Sequence, residues 1–172
     1  MALLEIRNLA VEFGTARGRF RAVDGVDVTV EEGEILCVVG ESGSGKSVCS
    51  QAIMGLLPRT AKISDGSILF DDPRTDAAPI DIARLDRAGP EIRAIRGGAI
   101  SIIFQEPMTS LSPLHTVGDQ IGEAVELHGG SRLGNLRLGD QAVERVQATG
   151  RKLSRAQIEA LTEDMLRMVG FP

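Results

Sequence analysis

The strongest constraint on this chain is the eight-residue stretch GESGSGKS at positions 40–47. It matches the pattern G-x-x-x-x-G-K-[ST] in full, and it lies between an apolar run, ILCVV (35–39), and a helix-compatible segment, 47–58. Glycines let successive backbone N–H groups turn toward one anion, and the following helix adds free N-terminal donors and the positive end of its dipole. The stretch therefore predicts a phosphate-binding loop between a strand and a helix.

The residue types in this loop predict separate roles. Lys46 supplies a mobile positive charge for the β- and γ-phosphates of a nucleotide, and the Ser47 hydroxyl can ligate Mg²⁺. The alternative is a glycine-rich turn that holds no ligand, but the flanking strand and helix favour nucleotide binding. The predicted phosphate- and magnesium-binding residues are Gly40, Ser42, Gly43, Ser44, Gly45, Lys46 and Ser47.

Composition excludes several other classes of protein. A length of 172 residues is enough for one domain with a core, and a net charge of −5 with a pI near 5.1 argues against binding to nucleic acid. The apolar runs are too short to cross a bilayer, and the N-terminus lacks the apolar centre of a signal peptide. We expect a protein on the cytoplasmic side. The two cysteines, Cys37 and Cys49, lack metal-binding spacing and are predicted to be core residues.

Hydrophobic periodicity predicts the order of strands and helices along the chain. The predicted strands cover 3–13, 22–30, 35–39, 66–70 and 99–104, and the predicted helices cover 47–58, 90–97, 116–130 and 154–170. Capping boxes are predicted from Thr116 with Asp119 and from Ser154 with Gln157. Residues 71–90 are expected to form a loop with a short helix, 105–113 are expected to be irregular, and 131–152 give no clear pattern.

Two longer blocks carry a resemblance to a known family. The blocks AVDGVDVTVEEGEILCVVGESGSGKS (22–47) and IIFQEPMTSLSPLHTVGDQI (102–121) resemble the ATP-binding cassette (ABC) transporter subunits. More narrowly, they are similar to the oligopeptide and dipeptide importer ATPases, in which an FQ-[DE]-PMTSL-x-P block is typical. The resemblance extends over essentially the whole chain and is weakest at 131–152.

The resemblance implies an α/β fold of the P-loop NTPase type. Residues 1–34 would begin an antiparallel β-subdomain, 35–115 would run from the phosphate loop to a glutamine loop, and 116–172 would begin a helical subdomain. The parallel core sheet would be incomplete, leaving the 35–39 strand short of neighbours and exposed as an edge. We expect one partial nucleotide-binding domain over 1–172.

Further site residues follow from the resemblance alone. Gln105 matches the family glutamine that reaches Mg²⁺ and the attacking water, so Lys46 and Gln105 are the expected catalytic residues. Phe13 matches the aromatic residue that stacks on adenine, with Phe20 as the second choice and a core role as the alternative. His115 and His128 are expected to be exposed polar residues, and neither matches the family's catalytic histidine.

Several family motifs do not occur in the sequence: the LSGGQ-type signature, a hydrophobic strand ending in Asp and Glu, and the switch histidine. We therefore expect an N-terminal portion of an importer ATPase that binds ATP and Mg²⁺ but barely hydrolyses ATP. Whether the chain acts as an enzyme stays open at this point. The expected partners are membrane permease subunits, a second ATPase subunit in a homo- or heterodimer and, indirectly, an extracytoplasmic solute-binding protein.

Two alternatives remain. One is a different P-loop enzyme, a kinase or a GTPase, although the guanine-binding sequence NKxD is absent. The other is a non-catalytic fragment that docks on a permease or a partner ATPase. The resemblance places the protein at the cytoplasmic face of the inner membrane, attached through permease subunits, or in solution if it is alone.

Overall fold

The computed structural model describes residues 2–106, 111–132 and 153–171. The chain divides into two compact units, Met1–Ile102 and Ile103–Pro172. Most of the segment 131–152, which shows no clear pattern in the sequence, lies outside the described residues, and so does part of the FQEPMTSL block.

The first unit is built on an antiparallel sheet of four strands in the order β2-β1-β3-β4. Strands β1 (Ala2–Thr15) and β2 (Gly18–Glu31) form a long hairpin, and β3 (Ala61–Phe70) and the short β4 (Ile80–Asp81) complete the sheet. The strands predicted at 3–13 and 22–30 are confirmed, and the strand predicted at 66–70 begins earlier, at Ala61. This sheet is the antiparallel N-terminal subdomain that the family resemblance implied.

A bulge in β1 fixes the register of the three long strands. Asn8 has a left-handed φ of 48°; its backbone N–H donates to Asp27 Oδ1 at 2.8 Å, and its side-chain amide donates to Asp65 Oδ2 at 3.3 Å. On β3, a Cβ on Gly66 would stand only 2.5 Å from the carbonyl oxygens of Arg7 and Asn8. Only glycine allows β3 to approach the bulge so closely.

One face of the sheet carries the helices of the first unit. They are α1 (Lys46–Ile53), a 3₁₀ helix (Ile82–Arg84) and α2 (Pro90–Gly98). The buried core between sheet and helices consists of Ile6, Leu9, Val11, Val23, Ala52, Leu57, Ala61, Ile68, Phe70, Ile82, Ile92 and Ile95. The predicted helix at 90–97 is confirmed, whereas α1 ends at Ile53, before the predicted stop at Pro58, because the chain turns at Gly55 with a φ of 60°.

Two predicted strands are not formed. Residues 35–39 and 99–104 contain no strand, and Ile35 and Ile103 are 90% and 94% exposed. An apolar β-branched run becomes a buried strand only when neighbouring strands satisfy its backbone, and the described residues pair no strand with either run. The sequence had predicted that 35–39 would form a strand with an exposed edge, and the strand itself is absent. Cys37, predicted to be in the core, is exposed for the same reason, while Cys49 is half-buried and burial raises the pKa of its thiol.

The second unit contains two helices, α3 (Val117–Arg132) and α4 (Arg155–Met168). They meet at buried Val125 and Leu161, with Ile121, Ile158, Leu153 and Met165 around them. Both predicted capping boxes are present: Asp119 N–H donates to Thr116 Oγ1 at 3.1 Å, and Gln157 N–H donates to Ser154 Oγ at 3.3 Å. Within the described ranges, none of the helices is both long enough and apolar enough to cross a membrane.

Candidate functional site

The predicted phosphate loop forms a tight turn that leads directly into α1. The Ser44 N–H donates to the Glu41 carbonyl at 3.2 Å, and Gly43 and Gly45 both have left-handed φ angles, 82° and 92°. Gly45 is the N-cap of α1, and neither a capping side chain nor an acidic residue occupies the first turn. The free N–H groups and the positive end of the helix dipole are therefore left for an anion.

Two glycines of this turn make close contacts. A Cβ on Gly45 would stand 2.8 Å from the Ala22 carbonyl oxygen and 3.2 Å from Val23 Cγ2, so the loop lies directly against β2. A Cβ on Gly40 would stand 2.8 Å from Ser44 Oγ and 3.8 Å from Lys46 Nζ. A side chain at Gly40 would therefore fill the space around the lysine ammonium, which is what a bare phosphate cradle must avoid.

The Lys46 ammonium is held inside the loop. Its Nζ donates to the carbonyl oxygens of Gly40 at 2.6 Å and Glu41 at 2.7 Å, and to Ser44 Oγ at 3.2 Å. The Lys46 side chain therefore folds back over the turn instead of extending into solvent. The loop combines one localised positive charge with an uncapped helix start, an arrangement that suits a polyphosphate.

The hydroxyl groups of the loop fit the second ligand predicted from sequence. Ser42, Ser44 and Ser47 are all exposed, and Ser47 lies in the first turn of α1, next to Lys46. A hydroxyl oxygen is a hard donor of the kind that Mg²⁺ accepts, and this ion normally completes its shell with water and phosphate oxygens. Ser47 is therefore the residue in the loop that could hold Mg²⁺.

The two units divide the predicted site residues between them. Gln105 is exposed in an irregular stretch of the second unit. His115 is exposed, as expected, and its Nδ1 lies 2.9 Å from Ser112 Oγ. The side chain of His128 is outside the described part of the structure. Thus Gly40, Ser44 and Lys46 are brought together by direct contacts, whereas Gln105 belongs to a different unit.

Phe13 lies in a pair that the sequence did not predict. Its ring stacks on Phe20, with centroids 5.7 Å apart and planes 27° from parallel. From the sequence, the two rings are competing candidates for one role. Their pairing depends on the register of the β1–β2 hairpin, whose turn lies at residues 16–17.

Comparison with known proteins identifies the family. The sequence model of the ABC transporter family matches residues 23–166, which is most of the chain. The chain belongs to this family. The resemblance predicted from the blocks at 22–47 and 102–121 is therefore confirmed.

Curated relatives are peptide-transport proteins of the same family. The chain is 50% identical over 127 residues to the dipeptide transport ATP-binding protein DppD of Bacillus subtilis. The matched region covers 73% of this chain and 35% of DppD. The chain is 37% identical over 171 residues to the probable peptide ABC transporter ATP-binding protein y4tR of Sinorhizobium fredii, covering 99% of this chain and 45% of y4tR. The chain thus spans between about a third and a half of these relatives.

A solved structure confirms the fold class. The dimeric ATP-binding cassette MJ0796, in a post-hydrolysis state bound to ADP and Pi, superimposes with a TM-score of 0.69. The match covers 98% of this chain and 58% of MJ0796, at 20% sequence identity. The ABC chain described here is therefore α/β, with an antiparallel N-terminal sheet.

Proposed function

We propose that this chain binds magnesium-ATP through residues 40–47, as part of the ATP-binding subunit of an importer of peptides or similar small solutes. The observation that carries this proposal is the position of the Lys46 ammonium, held by three loop oxygens beside the uncapped start of α1. Family membership supports ATP as the nucleotide, and the names of the relatives support peptides as the class of solute.

In this proposal each part of the loop has one task. The backbone N–H groups at the start of α1 hold phosphate oxygens, the Lys46 side chain balances the charge of the outer phosphates, and the Ser47 hydroxyl ligates the ion. Magnesium, when bound, offsets part of the negative charge of the phosphate oxygens. Gln105 is proposed to orient water near the outer phosphate through its uncharged amide. Phe13 is proposed to stack on the base, with Phe20 as the second choice.

Hydrolysis and transport are proposed for the assembled transporter. Activation of water needs a carboxylate near the outer phosphate, and the 172 residues contain no match to the strand ending in Asp and Glu that supplies it in this family. We expect these residues, tested alone, to bind ATP with negligible phosphate release. The proposed partners are permease subunits, a second ATPase subunit and, indirectly, a solute-binding protein, at the cytoplasmic face of the membrane.

The proposal is tested by titrating the purified 172-residue chain with magnesium-ATP in a calorimeter. Lys46→Ala is expected to weaken binding about tenfold or more, because it removes charge-assisted hydrogen bonds to phosphate. Lys62→Ala is the matched control, since Lys62 is an exposed lysine of β3 whose Nζ lies 3.9 Å from Glu12 Oε2. Equal affinity of the wild-type chain and Lys46→Ala would refute the proposal.

A further inference from the structure

A groove runs between α3 and α4 in the second unit. Its volume is about 660 Å³, which falls in the range of small-molecule sites, about 300–1,000 Å³. The α3 residues that line it include Asp119, Gly122, Glu123 and Glu126. They are three or four positions apart, so they share one face of the helix. The groove is therefore built from one helical face on each side.

The walls of this groove carry surplus negative charge. One guanidinium, that of Arg155, and five carboxylates line it: Asp119, Glu123, Glu126, Glu159 and Glu163. Arg155 Nε lies 3.0 Å from Glu159 Oε1, and Arg167 Nη2 lies 3.3 Å from Glu163 Oε2. Among the described residues, neither Glu123 nor Glu126 forms an ion pair or a side-chain hydrogen bond. The uncompensated charge therefore lies on the α3 side.

A buried hydroxyl lies on the α4 side. Thr162 lines the groove but is only 8% exposed, and within the described ranges its Oγ1 has no hydrogen-bond partner. Such a group is destabilising, because it has lost its hydrogen bonds to water without gaining others. Valine has the same shape without this cost, so packing does not account for a threonine at this position.

Gly122 stands opposite this hydroxyl on α3. A Cβ at Gly122 would lie 3.5 Å from Ile158 Cγ2 and 3.6 Å from Thr162 Oγ1, both of which are ordinary contact distances. Alanine would therefore fit, and alanine favours a helix more than glycine does. Neither packing nor helix propensity explains the glycine. The space that it leaves lies directly beside the unpaired hydroxyl.

We propose that this groove binds a linear polyamine, a chain of ammonium groups joined by short methylene linkers. One ammonium donates to Thr162 Oγ1 beside Gly122, and the others lie against Glu123 and Glu126. An acceptor oxygen among carboxylates favours a cation that also donates hydrogen bonds, which an ammonium group does. The proposal does not depend on nucleotide binding by residues 40–47.

The shape of the groove favours a flexible amine over a metal ion. Residues three or four apart on a helix have Cβ atoms about 5–6 Å apart, a distance that short methylene linkers can match. Apolar side chains of Leu153, Ile158 and Leu166 also line the groove. Methylene groups can pack against these side chains, whereas a hydrated metal ion gains nothing from them.

The test titrates the nucleotide-free 172-residue chain with spermidine in a calorimeter at physiological ionic strength. Thr162→Val keeps the side-chain shape and removes the hydroxyl, so it should weaken spermidine binding about tenfold. The same variant should unfold at an equal or higher urea concentration, because an unpaired buried hydroxyl has been removed. Loss of affinity without loss of stability separates a binding role of Thr162 from a structural one.

Two substitutions on α3 test the other side of the groove. Gly122→Ala should weaken spermidine binding while increasing resistance to urea, because it fills the groove and favours the helix. Glu123→Gln should weaken binding about threefold, as expected for the loss of one exposed charge pair. Glu91→Gln is the matched control, since Glu91 is an exposed glutamate of α2 in the first unit, and it should bind spermidine like the wild type.

Four results would overturn the inference. They are absence of spermidine binding by the wild-type chain, unchanged affinity in Thr162→Val, a lower urea midpoint for Thr162→Val, and equal effects of Glu123→Gln and Glu91→Gln. The last result would show attraction to the net charge of the whole chain. Magnesium chloride is the competitor: displacement of spermidine by an equal concentration of Mg²⁺ would show a general cation site and would contradict the proposal as well.

Discussion

Gly45 is constrained both by its backbone conformation and by its packing. It caps α1 with a φ of 92°, it is buried, and the β2 backbone occupies the space where a Cβ would stand. Gly43 shares the left-handed φ, at 82°, but a Cβ there would have no neighbour within 4 Å. Comparing substitutions at the two glycines therefore separates the free-energy cost of the left-handed conformation from the free-energy cost of the steric contact.

Gly45→Ala should destabilise the chain more than Gly43→Ala does. At either position, alanine in the left-handed region costs about 1–2 kcal/mol, and at Gly45 the Ala22 carbonyl must also move. Urea denaturation of the two variants would measure the difference in the free energy of unfolding. Equal losses in both variants would show that the loop does not lie against β2 as described.

At the scale of residues, the sequence predicted which types form the loop but not how they contact one another. The spacing of the glycines with Lys46 and Ser47 was sufficient to predict a phosphate site. The hydrogen bonds from Lys46 to the Gly40 and Glu41 carbonyls depend on the loop's backbone path, which residue spacing does not specify. The stacking of Phe13 on Phe20 likewise depends on strand register.

Among the elements, α3 shows how a local sequence signal fixes a helix start. Thr116 and Asp119 cap each other: the Thr116 hydroxyl donates to Asp119 Oδ2 at 2.7 Å, and the Asp119 N–H donates to Thr116 Oγ1 at 3.1 Å. The hydrogen bonds from Thr116 hold the pKa of the Asp119 carboxyl below its ordinary value, and the charges of His115 and Arg155 lower it further.

The start of α3 should consequently depend on pH. Since the folded-state pKa of Asp119 is lowered, its stabilisation is complete above the unfolded-state pKa and is lost as pH falls through the folded-state pKa. Thr116→Ala should raise the pKa of Asp119, as measured by NMR titration of its carboxyl carbon. Leu127→Ala, at an exposed position on the same helix, is the control. An unchanged titration in Thr116→Ala would contradict the capping box.

Elements that depend on local signals were predictable, and elements that depend on distant partners were not. The capping boxes of α3 and α4 and the long hairpin follow from neighbouring residues. The run at 35–39 has a strand's composition, but a parallel strand needs neighbours from elsewhere in a chain. This is why composition alone predicted a strand where the described residues form none.

For the whole molecule, both units expose apolar side chains in segments with no regular structure. Ile35 and Val39 belong to the first unit, and Ile103 and Phe104 to the second. Contiguous exposed apolar segments with unpaired backbone groups favour association between molecules. A net charge of −5 opposes this association only weakly.

The purified 172-residue chain should therefore self-associate as its concentration rises. Ile35→Lys combined with Ile103→Lys should lower the weight-average mass measured by sedimentation equilibrium. Leu127→Lys, an exposed leucine within helix α3, is the control and should have little effect. A wild-type chain that stays monomeric at every concentration would contradict this prediction.

The backbone of residues 40–47 is proposed to hold a polyphosphate. The sharpest test follows the backbone amide resonances of the ¹⁵N-labelled chain while magnesium tripolyphosphate is added. The largest shifts are expected at the loop amides and at the first turn of α1. Shifts confined to the cationic residues Arg19, Arg21 and Lys62 on the opposite face of the sheet, with the loop amides unmoved, would contradict it.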